Sequence, residues 1–447
     1  MPLPLDPIGK PARFAWAAGV CLALGALVFA SRLWLLQAWG TPVPYWDQWD
    51  AEGALYRAWL TGSLDWRQLF AAHNEHRIVL TRLADLALLE LGGGWSRWAQ
   101  LGLNAALHAA TAGLLAAAFW PALAPRARIG WIAGLAALFC TAAGWQNALW
   151  GFQSQVYFTE LFGLVGITLV ASVPPWALRW WIGWSALVLA CLGTAGGTLA
   201  AVAAFAAAPS DRHGLRGWRP FLAIGLVVVL GLALQPTAPH HAALRAQDAG
   251  QFLRVLARGL SWPLADSSWA WIVVQLPLLV LWIDRRRRGV RCDPAERRAL
   301  ALAVFAALHV AAVAYSRGAG LPDARLLSRY QDPLHLALAA QFFALLRLAT
   351  ERGRPGRLAA LGWSAVVFAG LLALTYHALI AHLPFKRAQD AAGLDYIRTY
   401  LQNRDPRAFP PPSPFASPHP DPAAILRVLD DPVLQPVLPR QFFQPLP

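Results

Sequence analysis

Charge is what this chain has least of: Asp, Glu, Lys and Arg make up 14% of it while 57% is hydrophobic, against about a quarter charged in an ordinary soluble protein. A soluble globule is excluded. Lysine is nearly missing, with only Lys10 and Lys386, so the formal net charge of +14 is carried almost wholly by arginine. Those arginines form short clusters between apolar runs rather than a patch on a polar surface, which argues against nucleic acid and reads as orientation signals in a membrane chain. The cysteines Cys21, Cys140, Cys191 and Cys292 share no metal-like spacing, and three lie inside apolar runs, so they read as small buried residues with no disulfide framework. No Gly-Lys-Ser/Thr phosphate loop, no His-Glu-x-x-His and no nucleophile elbow occurs, which excludes the usual soluble nucleotide and hydrolase chemistries. No repeat of about 20 to 50 residues is present.

What the sequence does hold is a series of apolar runs long enough for membrane helices. The expected fold is all-α, a polytopic membrane helix bundle of about eleven spans, at 14–36, 98–120, 129–144, 156–173, 180–195, 196–209, 220–234, 268–283, 299–315, 333–348 and 358–380. Val28 and Ala30 could mark a signal-peptide cleavage site, but apolar residues continue to Leu36, which favours a retained first span. Residues 78–91 carry Arg82, Asp85 and Glu90; a mid-membrane charge costs roughly 2.5 to 3.5 kcal/mol, so this stretch is read as an interfacial helix. Residues 180–209 are either one tilted helix or two short ones turning at Gly193-Thr194-Ala195-Gly196-Gly197. The hairpin sends Arg212, Arg216, Arg219, Arg285 to Arg288, Arg291, Arg297, Arg298, Arg347, Arg352, Arg354 and Arg357 to the cytoplasm. The segments on that side then hold +13 of the net +14.

This arrangement implies a bilayer-embedded domain over 1–383, with a first outer loop at 37–97, and an outer Pro-rich tail over 384–447. The tail is expected to be extended after a short helix at 388–402. The expected location is the bacterial inner membrane with the working face on the periplasmic or external side.

Candidate chemistry lies in the outer loops. Tyr45-Trp46-Asp47-Gln48-Trp49-Asp50 sets two carboxylates among rings at the membrane surface; an aromatic belt and a helix cap are the competing readings. His73-Asn74-Glu75-His76-Arg77 puts five polar residues in a row before an apolar helix. His73 and His76, three apart on one helix face, allow a divalent cation, although no third ligand is evident; a phosphate-contacting or hydrogen-bonding cluster is the alternative. Trp145 to Gln155, with Trp150 and Gln153, followed by Tyr157 and Glu160, mixes amides and rings as carbohydrate sites do. Arg317, Arg325 and Arg329-Tyr330 concentrate guanidiniums on a face otherwise short of positive charge, suited to phosphate oxygens or to pairing with Asp323 and Asp332. His240-His241 is assigned no role.

In order and placement these features resemble the GT-C superfamily of membrane glycosyltransferases, such as protein O-mannosyltransferases and lipid A aminoarabinose transferases. Tyr45-Trp46-Asp47 and the helix to Gly62 stand where that family carries its early catalytic Asp. His73 to Trp95 stands at its interfacial segment, and Gln146 to Glu160 at its second outer motif. The likeness covers about residues 14 to 210. The family's Asp-Glu pair is absent, and Glu75-His76-Arg77 stands where Lys-Pro-Pro would precede the interfacial helix. The resemblance implies an inverting enzyme that moves a sugar from a polyprenyl-phosphate donor to a lipid or glycan acceptor. Asp47 would act as base, Asp50 as reserve, and Arg77 or the later arginines would face the phosphate. A carrier or flippase for a lipid-linked glycan, or a glycan polymerase or ligase, is the alternative. A carrier should hold ionisable residues deep in its spans, whereas the acids here are expected at the outer face.

Overall fold

The structure, a computed structural model, describes residues 10–208, 217–413 and 418–444; Arg212 and Arg216 lie outside them. The described chain is helical and contains no strand. In order the helices are α1 (Lys10–Trp39), α2 (Gly53–Leu60), α3 (Trp66–Leu69), α4 (Val79–Gly92), α5 (Arg97–Phe119), α6 (Pro125–Phe139), α7 (Trp145–Ala148), α8 (Ser154–Val170) and α9 (Leu178–Cys191). There follow α10 (Gly196–Ala207), α11 (Arg219–Leu234), α12 (Ala249–Leu260), α13 (Ala270–Arg287), α14 (Pro294–Arg317), α15 (Asp332–Glu351), α16 (Arg354–His377), α17 (Leu383–Asn403) and α18 (Pro422–Leu429).

Local chemistry fixes many of the ends. Ser96 caps α5 by accepting from the Ala99 amide, and Asp293 with Glu296 forms a reciprocal capping box at α14, behind Pro294. Pro occupies the first turn of α6, α11, α15, α16 and α17, where its missing amide hydrogen costs nothing. The α8–α9 hairpin packs closely because a Cβ at Gly166 or Gly183 would overlap the facing helix.

Five stretches are long and apolar enough to cross a membrane: Ala15–Trp39, Arg97–Ala122, Pro294–Arg317, Asp332–Glu351 and part of Arg354–Asn403. α9, α10 and α11 are apolar but shorter. Each of the other expected spans also falls on a helix, and the chain alternates between two ends. At one end Arg347 donates to the Ala122 carbonyl (3.2 Å), Arg297 to the Ala171 carbonyl (3.1 Å), and Arg285 bridges Glu296 and Glu351. At the other, Arg77 donates to the Leu234 carbonyl (2.6 Å), Arg317 pairs with Glu75, Asn147 reaches Asp332, and Trp145 stacks on His382.

Above this second end sits a cap, and here the tail departs from its extended expectation. Residues 397–413 and 418–442 fold onto the first loop and build an apolar core apart from that of the bundle: Trp49, Tyr56 and Trp95 pack with Ile397, Ile425, Leu429 and Phe442. Trp49 lies between Trp95 (5.7 Å) and Phe442 (6.2 Å), and the Trp95 amide donates to the Val437 carbonyl at 2.7 Å. The prolines do not oppose this, since they start short helical turns at Pro406, Pro422 and Pro436 with φ already suited to them. Burying one such side chain is worth about 1.5 to 3 kcal/mol, so the tail gains what its composition alone does not promise.

Candidate functional site

The approach to Asp47 is held from below by Arg97, which is 1% exposed and donates to the carbonyls of Thr41 (3.1 Å), Val43 (2.6 Å) and Leu149. Trp46 then adopts φ +47°, a left-handed conformation costly for a large side chain, and turns Asp47 outward ahead of the π-helical turn Gln48–Glu52. Asp47 makes no capping bond there. Its carboxylate is 33% exposed, and its one ionisable partner within 4 Å among the described residues is His73 Nε2 at 3.5 Å. Around it Tyr45, Trp46 and Trp150 meet at centroid distances of 5.3 to 6.4 Å, and His73 lies edge-on to Phe152 at 4.8 Å. The Tyr45 phenol is pushed up to about 12, first by burial and then by Asp390, against a downward pull from Arg329. Arg329 is thus within electrostatic reach of the Asp47 turn, 282 positions earlier in sequence.

Beside it, His73 to His76 form a tight turn closed by reciprocal backbone bonds of 2.9 Å, with Asn74 at φ +49°. The two imidazoles therefore do not share a helix face. His76 Nδ1 accepts from the Ala195 amide (3.2 Å), and burial lowers this group to about 4. Glu75 holds a two-pronged pair with Arg317, 2.9 Å on each oxygen, and meets His241 Nδ1 at 2.6 Å. Burial alone would raise Glu75, but hydrogen bonds from Arg317 and His241 outweigh it and bring it to about 2. His240 Nε2 meets Asn74 Oδ1 at 3.2 Å, so His240-His241 joins the cluster that sequence gave it no part in. Its signal would have been two histidines in an outer loop facing a Glu, a pairing 166 residues apart that no local pattern displays.

Tyr330 receives both Arg317 and Arg329: burial would raise its phenol, and the two guanidiniums pull it below the ordinary value. The Arg329 guanidinium lies over the Tyr330 ring at 5.2 Å and has no carboxylate partner among the described residues. Its backbone is clamped on both sides, the amide by Gln146 Oε1 (3.1 Å) and the carbonyl by Asn147 Nδ2 (3.0 Å). Those two amides position an arginine.

Other expected site residues are placed elsewhere. Asp50 faces the tail, with His419 Nε2 at 2.9 Å and Arg427 at 3.3 Å, and these partners hold its carboxyl below the usual range. Arg325 pairs at the surface with Asp266 (2.6 Å) and does not join Arg317 and Arg329. Arg77 is committed to the carbonyls of Leu234 and Phe70. Gln153 and Trp150 are 6% exposed and belong to the floor beneath Tyr45.

Sequence singles out Gln48, Asp85, Glu160 and Asp332, with Glu160 expected beside Trp150 and Gln153 at the outer boundary, but not the two buried polar groups to which they belong. Under the cap, Gln100 Nε2 donates to Glu52 (2.7 Å) and Asp85 (2.9 Å), while Gln48 reaches Glu52 (3.2 Å). Burial raises both acids, Glu52 to about 7 and Asp85 well above its ordinary value, and the Glu52 charge adds to the rise at Asp85. Within the bundle, Arg32, His108, Glu160, Asp332 and His335 are each at most 1% exposed. This corrects the expectation that ionisable residues stay at the outer face. The signal was Arg32 and His108 inside apolar runs.

A surface depression between α12 and residues 318–324, lined by Arg254, Arg258 and Asp323, lies away from Asp47. No group of three metal-ligating side chains gathers among the described residues. No family profile matches the chain, and comparison with curated proteins and with solved structures gives no match.

Proposed function

We propose that the chain is an integral membrane glycosyltransferase of GT-C type, with eleven spans and an inward N-terminus, moving a sugar from a polyprenyl-phosphate donor to a lipid or glycan hydroxyl outside the cytoplasm. The observation that carries this reading is Asp47, a part-exposed carboxylate without a hydrogen bond among the described residues, walled by Tyr45, Trp46, Trp150 and Phe152. A carboxylate left unsolvated by its own protein is free to take the proton of an attacking hydroxyl. The rings offer faces for a sugar, and Arg329 with Tyr330 offers a fork and a hydroxyl for the leaving phosphate. Glu75 neutralises Arg317 and thereby leaves Arg329 as the free cation of the pair. His73, at 3.5 Å, would steady Asp47 and share the proton. A polymerase or ligase would use the same residues on a longer lipid-linked donor. The test is transfer by purified protein from a lipid-phosphate sugar: Asp47→Asn should abolish it in a folded protein, and full activity would defeat the reading.

The buried Arg32–His108–Glu160–Asp332 group supports a second reading, a carrier for a lipid-linked glycan, because ionisable residues inside a bundle are the mark of coupled transport. Vesicles containing the protein separate the two: movement of an intact lipid-linked glycan without sugar transfer favours the carrier.

A further inference from the structure

Beneath the outer site, α1, α5, α8 and α15 bring Arg32, His108, Tyr157, Glu160, Asp332 and His335 together in the interior of the bundle. Arg32, His108, Glu160, Asp332 and His335 are 0 to 1% exposed. Counting formal charge, one guanidinium faces two carboxylates, and no ion pair within 4 Å joins Arg32 to either. A lone excess charge in such surroundings is not tolerated; the group takes up a proton instead.

Hydrogen bonding says where that proton goes. Arg32 Nη2 lies 2.8 Å from His108 Nε2, and a guanidinium only donates, so that nitrogen is assigned as acceptor, cannot also donate to the Phe139 carbonyl 3.2 Å away, and leaves the N–H of a neutral ring on Nδ1, which is buried without a partner among the described residues. His335 Nδ1 donates to the Asp332 carbonyl (2.9 Å), while the Thr141 hydroxyl, whose proton goes to the Leu138 carbonyl, lies 3.5 Å from Nε2, too far to hold a second N–H, so this ring is assigned one proton, at Nδ1. Asp332 sits at the N-terminus of α15 and accepts from Asn147 Nδ2 at 2.8 Å through Oδ2, while its Oδ1 is buried without a hydrogen-bond partner among the described residues. The amide donor and the positive end of the helix dipole both face this carboxylate. Glu160 has none of this: Oε1 is buried without a partner among the described residues.

We propose that Glu160, Asp332 and Arg32 form an intramembrane proton-binding site, in which Glu160 carries the proton and Asp332 the negative charge that balances Arg32. The ligand is a single exchangeable proton. The site is linked to the outer cluster through Asn147, whose one amide nitrogen also donates to the Arg329 carbonyl at 3.0 Å. A change of charge at Asp332 therefore reaches the loop that aims Arg329. A Cβ at Gly144 would overlap the Asp332 carboxylate, so the space for this acid is built into the backbone.

Infrared spectroscopy of the full chain in lipid vesicles reads the proton directly, as the carbonyl stretch of a buried carboxylic acid near pH 7. Glu160→Gln should remove that band and Glu160→Asp should shift it. Asp332→Asn should also remove it, since Arg32 then needs Glu160 ionised. The pair Glu52 and Asp85 contributes separate bands that none of these changes alters. The proposal is overturned by a wild-type spectrum in which no band responds to Glu160→Asp, or by a band that survives Glu160→Gln and vanishes in Asp332→Asn. A band seen only after sodium is replaced by a bulky organic cation would overturn it too, by assigning the neutralising role to a bound metal ion. If Glu160→Gln does not fold, the Glu160→Asp shift decides alone.

Discussion

The two ends of the bundle handle charge in opposite ways. At the end away from the cap, Arg285 is 7% exposed and fully engaged, with Glu296 at 2.7 and 2.9 Å and Glu351 at 2.6 and 2.7 Å. Arg347 joins Asp293 (2.9 Å) and Glu296 (3.3 Å), and Arg352 and Arg288 share Asp284. Each of the four acids there, Asp284, Asp293, Glu296 and Glu351, has at least one arginine partner. At the cap end, Glu75 and Arg317 are matched in the same manner, but among the described residues Arg329 has no ion-pair partner and Asp47 has only the His73 imidazole. A saturated network stabilises helix ends; an unsaturated acid and base at one face are available to something else.

That contrast can be broken experimentally, starting with its largest expected effect. Asp47→Asn should lower sugar transfer by about 10²- to 10⁴-fold, the usual share of a general base, with an unchanged unfolding midpoint. Asp50→Asn should cost far less, because its partners belong to the tail. Arg285→Ala should do the reverse of Asp47→Asn: Glu296 and Glu351 keep only their longer contacts to Arg347, which costs about 3 kcal/mol of stability, the low end for breaking a buried pair, while donor affinity in the folded fraction holds. A drop in donor affinity at fixed fold would erase the distinction between the ends.

Arg329→Ala should weaken binding of a polyprenyl-phosphate analogue by roughly 10- to 100-fold, as for loss of a charge-assisted hydrogen bond of about 1.5 to 3 kcal/mol. Arg329→Lys should fall between, since it keeps charge and loses the fork. Equal affinities for the three proteins would move the phosphate site elsewhere.

A pH effect follows from the acid pair beneath the cap. Glu52 titrates at about 7 in the folded chain and at an ordinary 4.5 when unfolded, so between those values the folded state holds a proton that the unfolded state has released. Its contribution is whole below about pH 4.5 and is lost as pH rises through 7, by about 1.4 kcal/mol per unit at most. Unfolding midpoints should fall over that window, and Glu52→Gln should flatten the fall. At the small end, Arg325→Ala should change stability by under about 0.5 kcal/mol, because its pair with Asp266 is exposed.

How far sequence carried the reading depends on where each partner lies. Apolar runs placed a helix at every expected span, because hydropathy is local; the sixth helix starts at Pro125 and ends at Phe139, earlier than expected at both ends, where a Pro opens it and the Thr141 to Gly144 turn closes it. Asp85 marked residues 78–91 as too charged for a span, and in the structure that acid meets Glu52 through Gln100. Arg325 and Arg329 look alike four residues apart, but the first turns to Asp266 and the second to Tyr330. Arg32 passed unnoticed because one charge scarcely changes the mean hydropathy of a long run. The tail reads as extended since its partner surface lies some 300 residues earlier.

Because Trp49 and Trp95 share a core with Ile397, Leu429 and Phe442, the floor of the outer site is finished last. Roughly 300 residues separate Trp95 from Ile397, about 15 to 60 s of synthesis at ordinary rates. During that interval the indoles of the first loop lack that covering surface, and rings of this kind are stable at a lipid interface. Trp46 and Asp47 acquire their final conformation only when the Pro418 carbonyl arrives to accept the Trp46 amide at 2.8 Å. A nascent or C-terminally shortened chain can therefore be fully inserted and still lack the geometry around Asp47.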